Sequence, residues 1–420
     1  MSKTFRPLIA FLALSIVILA CALPIPSAPP VGTPAQNSGT ATPPFSPDQV
    51  GTVVAMTLTG MAPGAGATPG TDGSFGLLPH TLYYLGTDSA GLTQVFKIER
   101  DGTTQHQITS ESVNVGNYDV SPIDGSVAYV ANNQLLRINA DGSNRRPVVD
   151  GGVLDPNNPF ISSVSNPVFS PDGQTLAYGY KGLQLYNVST GASNLVIENQ
   201  IDDLGGGLFV PRELYSPQHY SPDGTKLLIN LSYYEGGSSA VYYPTTNALV
   251  RLEGGEGALI CCGSAKWAAD STSIYAANPT MGMFSSGLWK VDATSGEVTT
   301  LIQGDAGSGN YNVADEAYLA PDGQLYFFFT TVASPDGIIT RSQMQPVRSA
   351  PDGVTGRTVL SGEDFQLLNE ALWAPDASFV IAVFAPTREV YQGGQAEIVY
   401  FDGKPSVVLT PFAQQMKWGP

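Results

Sequence analysis

The stretch Phe169-Ser170-Pro171-Asp172-Gly173-Gln174-Thr175-Leu176-Ala177-Tyr178 decides the fold. Pro171 presets φ at the first corner of a tight turn, Asp172 can accept hydrogen bonds from nearby backbone N–H groups, and Gly173 tolerates a positive φ. An aromatic residue precedes the turn and an alternating apolar run follows it, which is typical of a β-hairpin corner. The stretch therefore predicts two antiparallel strands that meet at a Ser-Pro-Asp-Gly turn.

Imperfect copies of this turn recur along the chain at a nearly constant spacing. The proline position, or the alanine that replaces it once, falls at 122, 171, 222, 269, 321, 375 and 420. The successive steps are 49, 51, 47, 52, 54 and 45 residues. This period suits a four-stranded antiparallel blade with its turns and is too long for helical-hairpin repeats.

A second recurring feature is a strand that ends in Asp-Gly, as in Val95–Gly102 and Leu135–Gly142. The turn motif, the apolar strand behind it and this second strand together resemble the TolB-like, WD-repeat-like β-propeller family over about residues 80–420. The resemblance implies an all-β fold, a seven-bladed β-propeller of four-stranded antiparallel blades. It implies little about function, because the shared residues build turns and blade cores.

The two ends of the propeller are expected to share one blade. Thr81–Leu85 begins a run of three strands with no turn motif in front, and Gln414–Trp418 supplies the missing innermost strand. Pairing of these N- and C-terminal strands closes the circle and gives seven blades. An open ring would leave two apolar faces exposed to water.

The residues before the propeller have the character of targeting and spacer sequence. Residues 1–21 combine Lys3 and Arg6 with a short apolar core, and Ile18–Cys21 resembles a bacterial lipobox, which implies lipidation at Cys21. A plain signal peptide cut elsewhere, or an uncleaved anchor, is the alternative. Residues 22–79 form a Pro/Gly/Thr-rich linker with a possible short helix at 47–61, and residues 80–420 form the propeller.

Composition restricts the partners. The net charge is −17, and only 13% of residues are charged. Nucleic acid is excluded as a partner because no basic stripe exists, and a membrane contact is expected only through the N-terminal lipid anchor. We expect an extracytoplasmic monomer at the cell surface or in the periplasm, whose partner is a protein, peptide or glycan of the cell envelope.

One column of the repeat predicts a ligand site. It lies three residues before the large residue of each turn, near the start of each inner strand, and contains Asn117, Asn166, Pro217, Ser264, Glu316, Glu370 and Gln415. Six of the seven are polar, and inner strands line the central channel. We expect the six polar residues, with the adjacent His219, to bind a ligand at the channel mouth. A channel that is polar only because it is filled with water is the alternative.

The large residue before each turn is expected to pack between blades. This column contains Val120, Phe169, Tyr220, Trp267, Leu319, Trp373 and Trp418. Large aromatic side chains usually serve burial, so we favour a core role over a role as aromatic ligand platforms.

Cys261 and Cys262 are the other thiols of the chain. Outside the cytoplasm they are expected to oxidise to a vicinal disulfide, which is strained because Cα atoms across a trans peptide are only about 3.8 Å apart. Two small buried side chains, or two free thiols, are the alternatives.

Motifs of known chemistry are scarce. The sequence has no Gly-x-Ser-x-Gly elbow, no His-Glu-x-x-His motif and no phosphate-binding loop, and it has three histidines. We therefore expect no catalytic residue, metal or cofactor, and interpret the protein as a non-catalytic binding or scaffold module. The alternative is an enzyme, a lyase or glycan hydrolase that uses acidic residues at the channel mouth. A scaffold without a discrete site is a third interpretation.

Overall fold

The computed structural model describes residues 76–234, 236–252, 264–279, 286–333, 343–362 and 365–420. The predictions for Cys21, Cys261 and Cys262, the signal sequence and the helix at 47–61 lie outside these residues. The described residues form β-strands, turns and one short 3₁₀ turn, Pro159–Ile161, so the all-β prediction is confirmed. Within these ranges, no helix has the length and apolar character needed to span a membrane.

The first strands in chain order are β1 (Leu82–Thr87), β2 (Thr93–Ile98), β3 (Gln105–Gln107), β4 (Val115–Val120), β5 (Val127–Ala131), β6 (Gln134–Ile138), β7 (Arg146–Asp150), β8 (Ser165–Phe169), β9 (Thr175–Gly179), β10 (Gly182–Asn187) and β11 (Ser193–Glu198). The next are β12 (Gln200–Asp203), β13 (Phe209–Tyr220), β14 (Leu227–Tyr233), β15 (Gly236–Tyr243), β16 (Ala248–Arg251), β17 (Ser264–Trp267), β18 (Ser273–Asn278), β19 (Gly287–Asp292) and β20 (Val298–Gln303). The last are β21 (Asp305–Gly307), β22 (Asn310–Leu319), β23 (Leu325–Ala333), β24 (Gln345–Ser349), β25 (Thr358–Val359), β26 (Leu368–Trp373), β27 (Phe379–Phe384), β28 (Gly394–Tyr400) and β29 (Val407–Trp418).

These strands form six antiparallel sheets within the described residues. Five sheets are built from consecutive strands: β4–β7, β8–β11, β12–β16, β17–β20 and β21–β25. The sixth has seven strands in the order β26-β27-β28-β29-β1-β2-β3. Strand β29 serves two parts of this sheet, because its first half pairs with β28 and its second half pairs with β1.

The two chain ends meet in this seven-stranded sheet. Leu82 lies opposite Trp418, and Tyr83 lies opposite Lys417. The predicted pairing of the N- and C-terminal strands is therefore confirmed. The number of seven blades stays a prediction, because it requires dividing the seven-stranded sheet within β29.

Two sheets carry a fifth strand in addition to the expected four. The first part of β13 pairs with the additional strand β12, and the first part of β22 pairs with the additional strand β21. The β12–β13 turn contains Gly205–Gly207, all with positive φ, and the β21–β22 turn contains Gly307 and Gly309, also with positive φ. Such turns permit tight hairpins that the repeat spacing alone does not reveal.

The Ser-Pro-Asp-Gly turn has the geometry that its sequence predicts. Gly173 has a φ of 66°, and its N–H donates to the carbonyl of Ser170 at 2.8 Å. The Ser170 hydroxyl donates to Asp172 at 2.6 Å and accepts the N–H of Thr175 at 2.9 Å. Side chains therefore hold the corner between β8 and β9 as firmly as the backbone does.

The core consists of apolar clusters between neighbouring sheets. Phe169 and Trp373 are buried, whereas Trp267 and Trp418 are half-buried. Trp373 packs against Phe328 of the preceding sheet with ring centroids 5.6 Å apart, which is a favourable aromatic contact. The predicted packing between blades thus holds fully for Trp373 and partly for the other two indoles.

The described part of the domain begins before the expected boundary at residue 80. Leu78 is 1% exposed and packs among residues of β1 and β27. Its N–H donates to the carbonyl of Arg100 at 2.9 Å. The end of the predicted linker is therefore part of the core.

Candidate functional site

One cavity of about 750 Å³ lies where the inner strands of the sheets converge. Its wall contains residues of β4, β8, β13, β17, β22, β26 and β29, and we call it the channel. The wall includes every residue of the predicted polar column and His219: Asn117, Asn166, Pro217, His219, Ser264, Glu316, Glu370 and Gln415. The structure therefore brings these residues together, and ligand binding by them stays a prediction.

The residues of the polar column form a ring in the channel wall, which we call the polar ring, and irregular strand pairing positions them. The register shifts between Val115 and Asn117 on β4, and comparable shifts occur on β8, β13, β22 and β26 and where β29 meets β1. A β-bulge leaves an extra residue outside the ladder and redirects its side chain. Asn166, Glu316 and Gln415 have φ values of 49°, 50° and 53°, a region that favours glycine or asparagine over glutamate and glutamine.

Amide side chains form one arc of the ring. The Asn117 side chain donates to Asn166 Oδ1 at 3.3 Å, and the backbone N–H of Asn166 donates back to Asn117 Oδ1 at 3.1 Å. On the other side, the Gln415 amide donates to the carbonyl of Gly116 at 3.3 Å. Side-chain amides therefore connect β29, β4 and β8 across the blade boundaries.

Carboxyl groups form the opposite arc. The Ser264 hydroxyl accepts the backbone N–H of Glu316 at 2.9 Å and donates to Asp315 at 3.2 Å. Lys266 Nζ lies 3.0 Å from Glu316 Oε2. Both carboxylate oxygens of Glu370 accept backbone N–H groups of β29, one of them at 2.6 Å.

Two of these carboxyl groups have raised pKa values. Burial raises the pKa of Glu370 to about 7, and the neighbouring Glu316 carboxylate adds to the shift. The pKa of Asp315 is raised to about 7 for the same two reasons. Hydrogen bonds from backbone N–H groups and the Lys266 ammonium oppose both shifts. Both side chains are half-buried, so the protein removes much of their hydration without sealing them from solvent.

A second layer of ionisable residues lies two positions further along the inner strands. It contains Asp119, His219, Lys266 and Lys417. Lys417 Nζ lies 2.7 Å from Asp119 Oδ1, which joins the last strand to β4. The sequence analysis missed both lysines as site residues. The signal was present, because residues two apart on a strand face the same side.

His219 is neutral in this layer at physiological pH. Its pKa is lowered to about 4, first by the loss of bulk hydration inside the protein and then by Lys417 and Lys266. Asp119 opposes the shift. The imidazole is exposed to the channel, so it offers one donor and one acceptor to a ligand.

The three indoles of the turn column tie neighbouring inner strands together. Trp267 donates to the carbonyl of His219 at 3.1 Å, and Trp373 donates to the carbonyl of Glu316 at 2.7 Å. Trp418 donates to the carbonyl of Trp373 at 3.0 Å. Trp267 and Trp418 also lie in the channel wall, and a role as ligand platforms stays an untested alternative for them.

The described residues contain no group of three or more His, Cys, Asp or Glu side chains placed to hold a metal ion.

The antiparallel sheets, the joined chain ends and the shared channel together define the architecture. The chain is a β-propeller. No protein-family model matches the sequence, and no curated protein matches it. Solved structures similar to this propeller include one from a study of two prolyl endopeptidases, with 13% identity, a TM-score of 0.51, and coverage of 81% of this chain and 49% of that chain. The propeller chain thus spans about half the length of that endopeptidase.

Two further solved structures are similar to this chain. An oligogalacturonate lyase in complex with manganese has 11% identity and a TM-score of 0.51, with coverage of 78% of this chain and 84% of that chain. TolB from Acinetobacter baumannii has 15% identity and a TM-score of 0.40, with coverage of 78% and 79%. The solved structures similar to this propeller therefore include TolB, as the sequence resemblance predicted, and at these identities the likeness concerns the fold alone.

Proposed function

We propose that this propeller is a non-catalytic binding module, tethered to a membrane outside the cytoplasm, that takes a protein, peptide or glycan of the cell envelope into its channel. The observation that carries the proposal is the bulged polar ring around a cavity of about 750 Å³. Residues such as Glu316 and Gln415 adopt φ values that their side chains disfavour. Backbone strain of this kind is most often retained where a side chain must be aimed.

The pairing of the charged groups favours binding over catalysis. Lys417 is engaged with Asp119, and Lys266 with Glu316. The two oxygens of Glu370 accept main-chain N–H groups. Charges held in this way form a rigid and directional surface, which suits recognition of a ligand with fixed polar groups.

The chemistry of the wall indicates the class of ligand. Amide groups on one arc can exchange hydrogen bonds with peptide groups or hydroxyls, and they come from Asn117, Asn166 and Gln415. Trp267 and Trp418 add flat apolar area with a polar edge. Polypeptides and glycans both present polar groups beside apolar faces, so both fit this wall.

One observation favours a second candidate, an enzyme that acts as a lyase or glycan hydrolase. Asp315 and Glu370 have pKa values of about 7, which suit proton transfer near neutral pH. Under this alternative, Glu370→Gln abolishes turnover of a glycan substrate while leaving its binding intact. Under the binding proposal, no turnover accompanies binding in the wild type.

The membrane tether is a separate part of the proposal. Lipidation of Cys21 would keep the protein in the membrane fraction, since an acyl chain and the apolar signal are the available anchors. Cys21→Ser should abolish incorporation of labelled palmitate, because the thiol is the group that would be acylated. Palmitate labelling that persists in the variant would contradict lipidation at this position.

Photocrosslinking from inside the channel tests the binding proposal directly. Gln415 is exposed and lies in the wall, so p-benzoylphenylalanine at this position samples the channel. Leu195, exposed on β11, is the matched outer position. In envelope extracts the full chain should give discrete adducts from position 415 and not from position 195. The same adducts from both positions, or none from position 415, would contradict channel binding.

A further inference from the structure

A group of exposed apolar side chains lies on the face of the propeller where the inner strands begin. Val153 and Leu154 are 97% and 40% exposed in the connection that leads into β8. Leu204 and Leu208 are 64% and 56% exposed at the turn that leads into β13. We call these four residues the apolar patch. The Asn158 side chain donates to the carbonyl of Gly207 and so joins the two segments, and exposed apolar groups on adjoining segments mark interaction sites.

One side chain, that of Asn133, contacts both ends of the first of the two segments. The Asn133 amide donates to the carbonyls of Gly152 and Ser162 at 3.0 and 3.1 Å. Asn133 Oδ1 accepts the N–H of Val164 at 2.8 Å. These contacts close the loop at both of its ends, so the exposure of Val153 does not reflect a frayed segment.

The second segment is fixed to the first. Asn158 is 5% exposed, and its side chain donates to Asp155 at 2.9 Å and to the carbonyl of Gly207 at 3.3 Å. The N–H of Leu204 donates to the carbonyl of Leu208 at 3.0 Å, which closes the hairpin turn. A buried asparagine thus joins the two segments, and the apolar patch is presented by an ordered surface.

The charges around the patch select its partner. Asp150, Asp155, Asp202 and Asp203 are exposed on the same two segments. Arg212 approaches Asp202 at 3.7 Å, which leaves the rim strongly acidic. A partner must bury the leucines and also neutralise this rim, so it has to present basic side chains around an apolar centre.

Other occupants fit less well. A second copy of this chain would bring two acidic rims together, and each copy carries a net charge of −17. Anionic lipid headgroups would meet the same repulsion. We propose that the apolar patch is a docking surface for a protein whose contact surface is basic at its edge and apolar at its centre. This is a second site, beside the channel, and it does not depend on the channel binding any ligand.

Selection of displayed peptides tests this surface directly. A random displayed peptide library is selected on the full chain, after depletion on the Leu204→Ser/Leu208→Ser variant. Selected peptides should carry Lys or Arg beside large apolar residues and should bind the wild type at least about tenfold more tightly than the variant, a difference of about 1.4 kcal/mol. Their affinity should fall as salt is raised.

Two control variants separate this site from others. Val359→Ser/Val408→Ser removes two apolar side chains of similar exposure on β25 and β29 and should leave peptide affinity unchanged. His219→Ala alters the channel wall and should also leave peptide affinity unchanged, so failure of the channel proposal would not affect this result. Hydrogen exchange on the wild type should show protection by the peptide at residues 152–162 and 200–210.

Three results would overturn the proposal. The first is a selection that enriches no peptides, or only neutral or acidic ones. The second is equal loss of affinity in the Val359→Ser/Val408→Ser control. The third is self-association of the wild type, measured by sedimentation and abolished by Leu204→Ser/Leu208→Ser, which would assign the patch to a second copy.

Discussion

Lys417 on the last strand holds its ammonium 2.7 Å from the carboxylate of Asp119 on β4. The other oxygen of Asp119 accepts the backbone N–H of Phe169 on β8 at 2.6 Å. One carboxylate therefore links three inner strands, beginning with the strand that closes the ring. The two side chains are 28% and 14% exposed, so solvent screens this pair less than it screens a surface pair.

Breaking this ion pair should destabilise the ring. We expect Lys417→Met to lower the free energy of unfolding by about 1–3 kcal/mol, because it leaves the Asp119 charge in a half-buried site without its partner. Asp119→Ala should cost more, since it also removes the acceptor of the Phe169 N–H. Urea denaturation measures both variants.

The matched control is Lys404→Met. Lys404 and Asp402 form an exposed pair at 2.6 Å, and solvent and salt screen most of the attraction in such a pair. Equal losses for Lys404→Met and Lys417→Met would contradict the structural role of the Asp119 pair.

Removal of the last strand should unfold the whole domain. Deletion of residues 414–420 removes the pairing with β1 and the Trp418 indole that donates to Trp373. Several hydrogen bonds at about 1 kcal/mol each and a large apolar side chain at about 2–3 kcal/mol together approach the stability of a typical domain. Circular dichroism should show loss of the cooperative transition. A transition retained within a few degrees of the wild type would refute the closure.

Asp315 and Glu370 should each make a contribution to stability that falls as pH rises towards neutrality. The pKa values of Asp315 and Glu370 are raised from 3.8 and 4.5 to about 7. Between these values the folded state binds more protons than the unfolded state, so the free energy of unfolding decreases with increasing pH. Each group contributes a slope of at most about 1.4 kcal/mol per pH unit, because the folded and unfolded states differ by at most one bound proton at that group.

A variant isolates this contribution from those of the other acids. The side chains introduced by Asp315→Asn/Glu370→Gln do not titrate, so their effect on stability does not vary with pH. The difference in unfolding free energy between the variant and the wild type should therefore change between pH 4.5 and 7, where the wild-type carboxyl groups titrate, and level off above pH 7. The variant should gain relative stability over that window. A difference that stays flat from pH 4.5 to 8 would show that neither carboxyl has a raised pKa.

Two turn glycines provide a matched pair. Gly173 and Gly224 have φ values of 66° and 71° in equivalent turns. A Cβ at Gly224 would meet nothing nearer than Pro171 at 3.5 Å, whereas a Cβ at Gly173 would lie 3.0 Å from Ile123 Cγ1. We expect Gly224→Ala to cost about 1 kcal/mol, from backbone conformation alone, and Gly173→Ala to cost more. Urea denaturation that ranks them in the opposite order would contradict this account.

The three indoles should differ in their contribution to stability. Trp373→Phe removes a buried donor to the carbonyl of Glu316 and loosens the contact with Phe328, so it should cost about 2 kcal/mol or more. Trp267→Phe removes a bond at the channel wall, where water can replace the donor, and should cost less than about 1 kcal/mol. Equal costs by thermal denaturation would show that the half-buried indoles are also core residues.

The architecture was predictable because its signals are local and repeated. The turn from Ser170 to Gly173 specifies its own geometry, and its spacing along the chain identifies the period. The pairing of Thr81–Leu85 with Gln414–Trp418 followed from the need to cover the ends of the ring. None of these inferences depends on which side chains meet across blades.

The channel was predictable only in part. The polar column was found because it recurs at one position of the repeat. Lys266 and Lys417 were not predicted as site residues. Each precedes a tryptophan of the turn column, and the sequence interpretation considered only that tryptophan. Bulges that aim Glu316 and Gln415 depend on strand pairing, and no sequence pattern encodes them.

Hydrogen exchange at the ring closure tests the central claim most directly. Backbone amides of β1 and of the second half of β29 should exchange only through global unfolding, at the same rate as those of β27, an interior strand of the same sheet. The closed ring predicts that these exchange rates are equal in the wild type, and that the β1 and β29 amides exchange faster than the β27 amides in Lys417→Met. Exchange of the β29 amides at least about tenfold faster than that of β27 in the wild type would show that the last strand opens independently, and would contradict the closed ring.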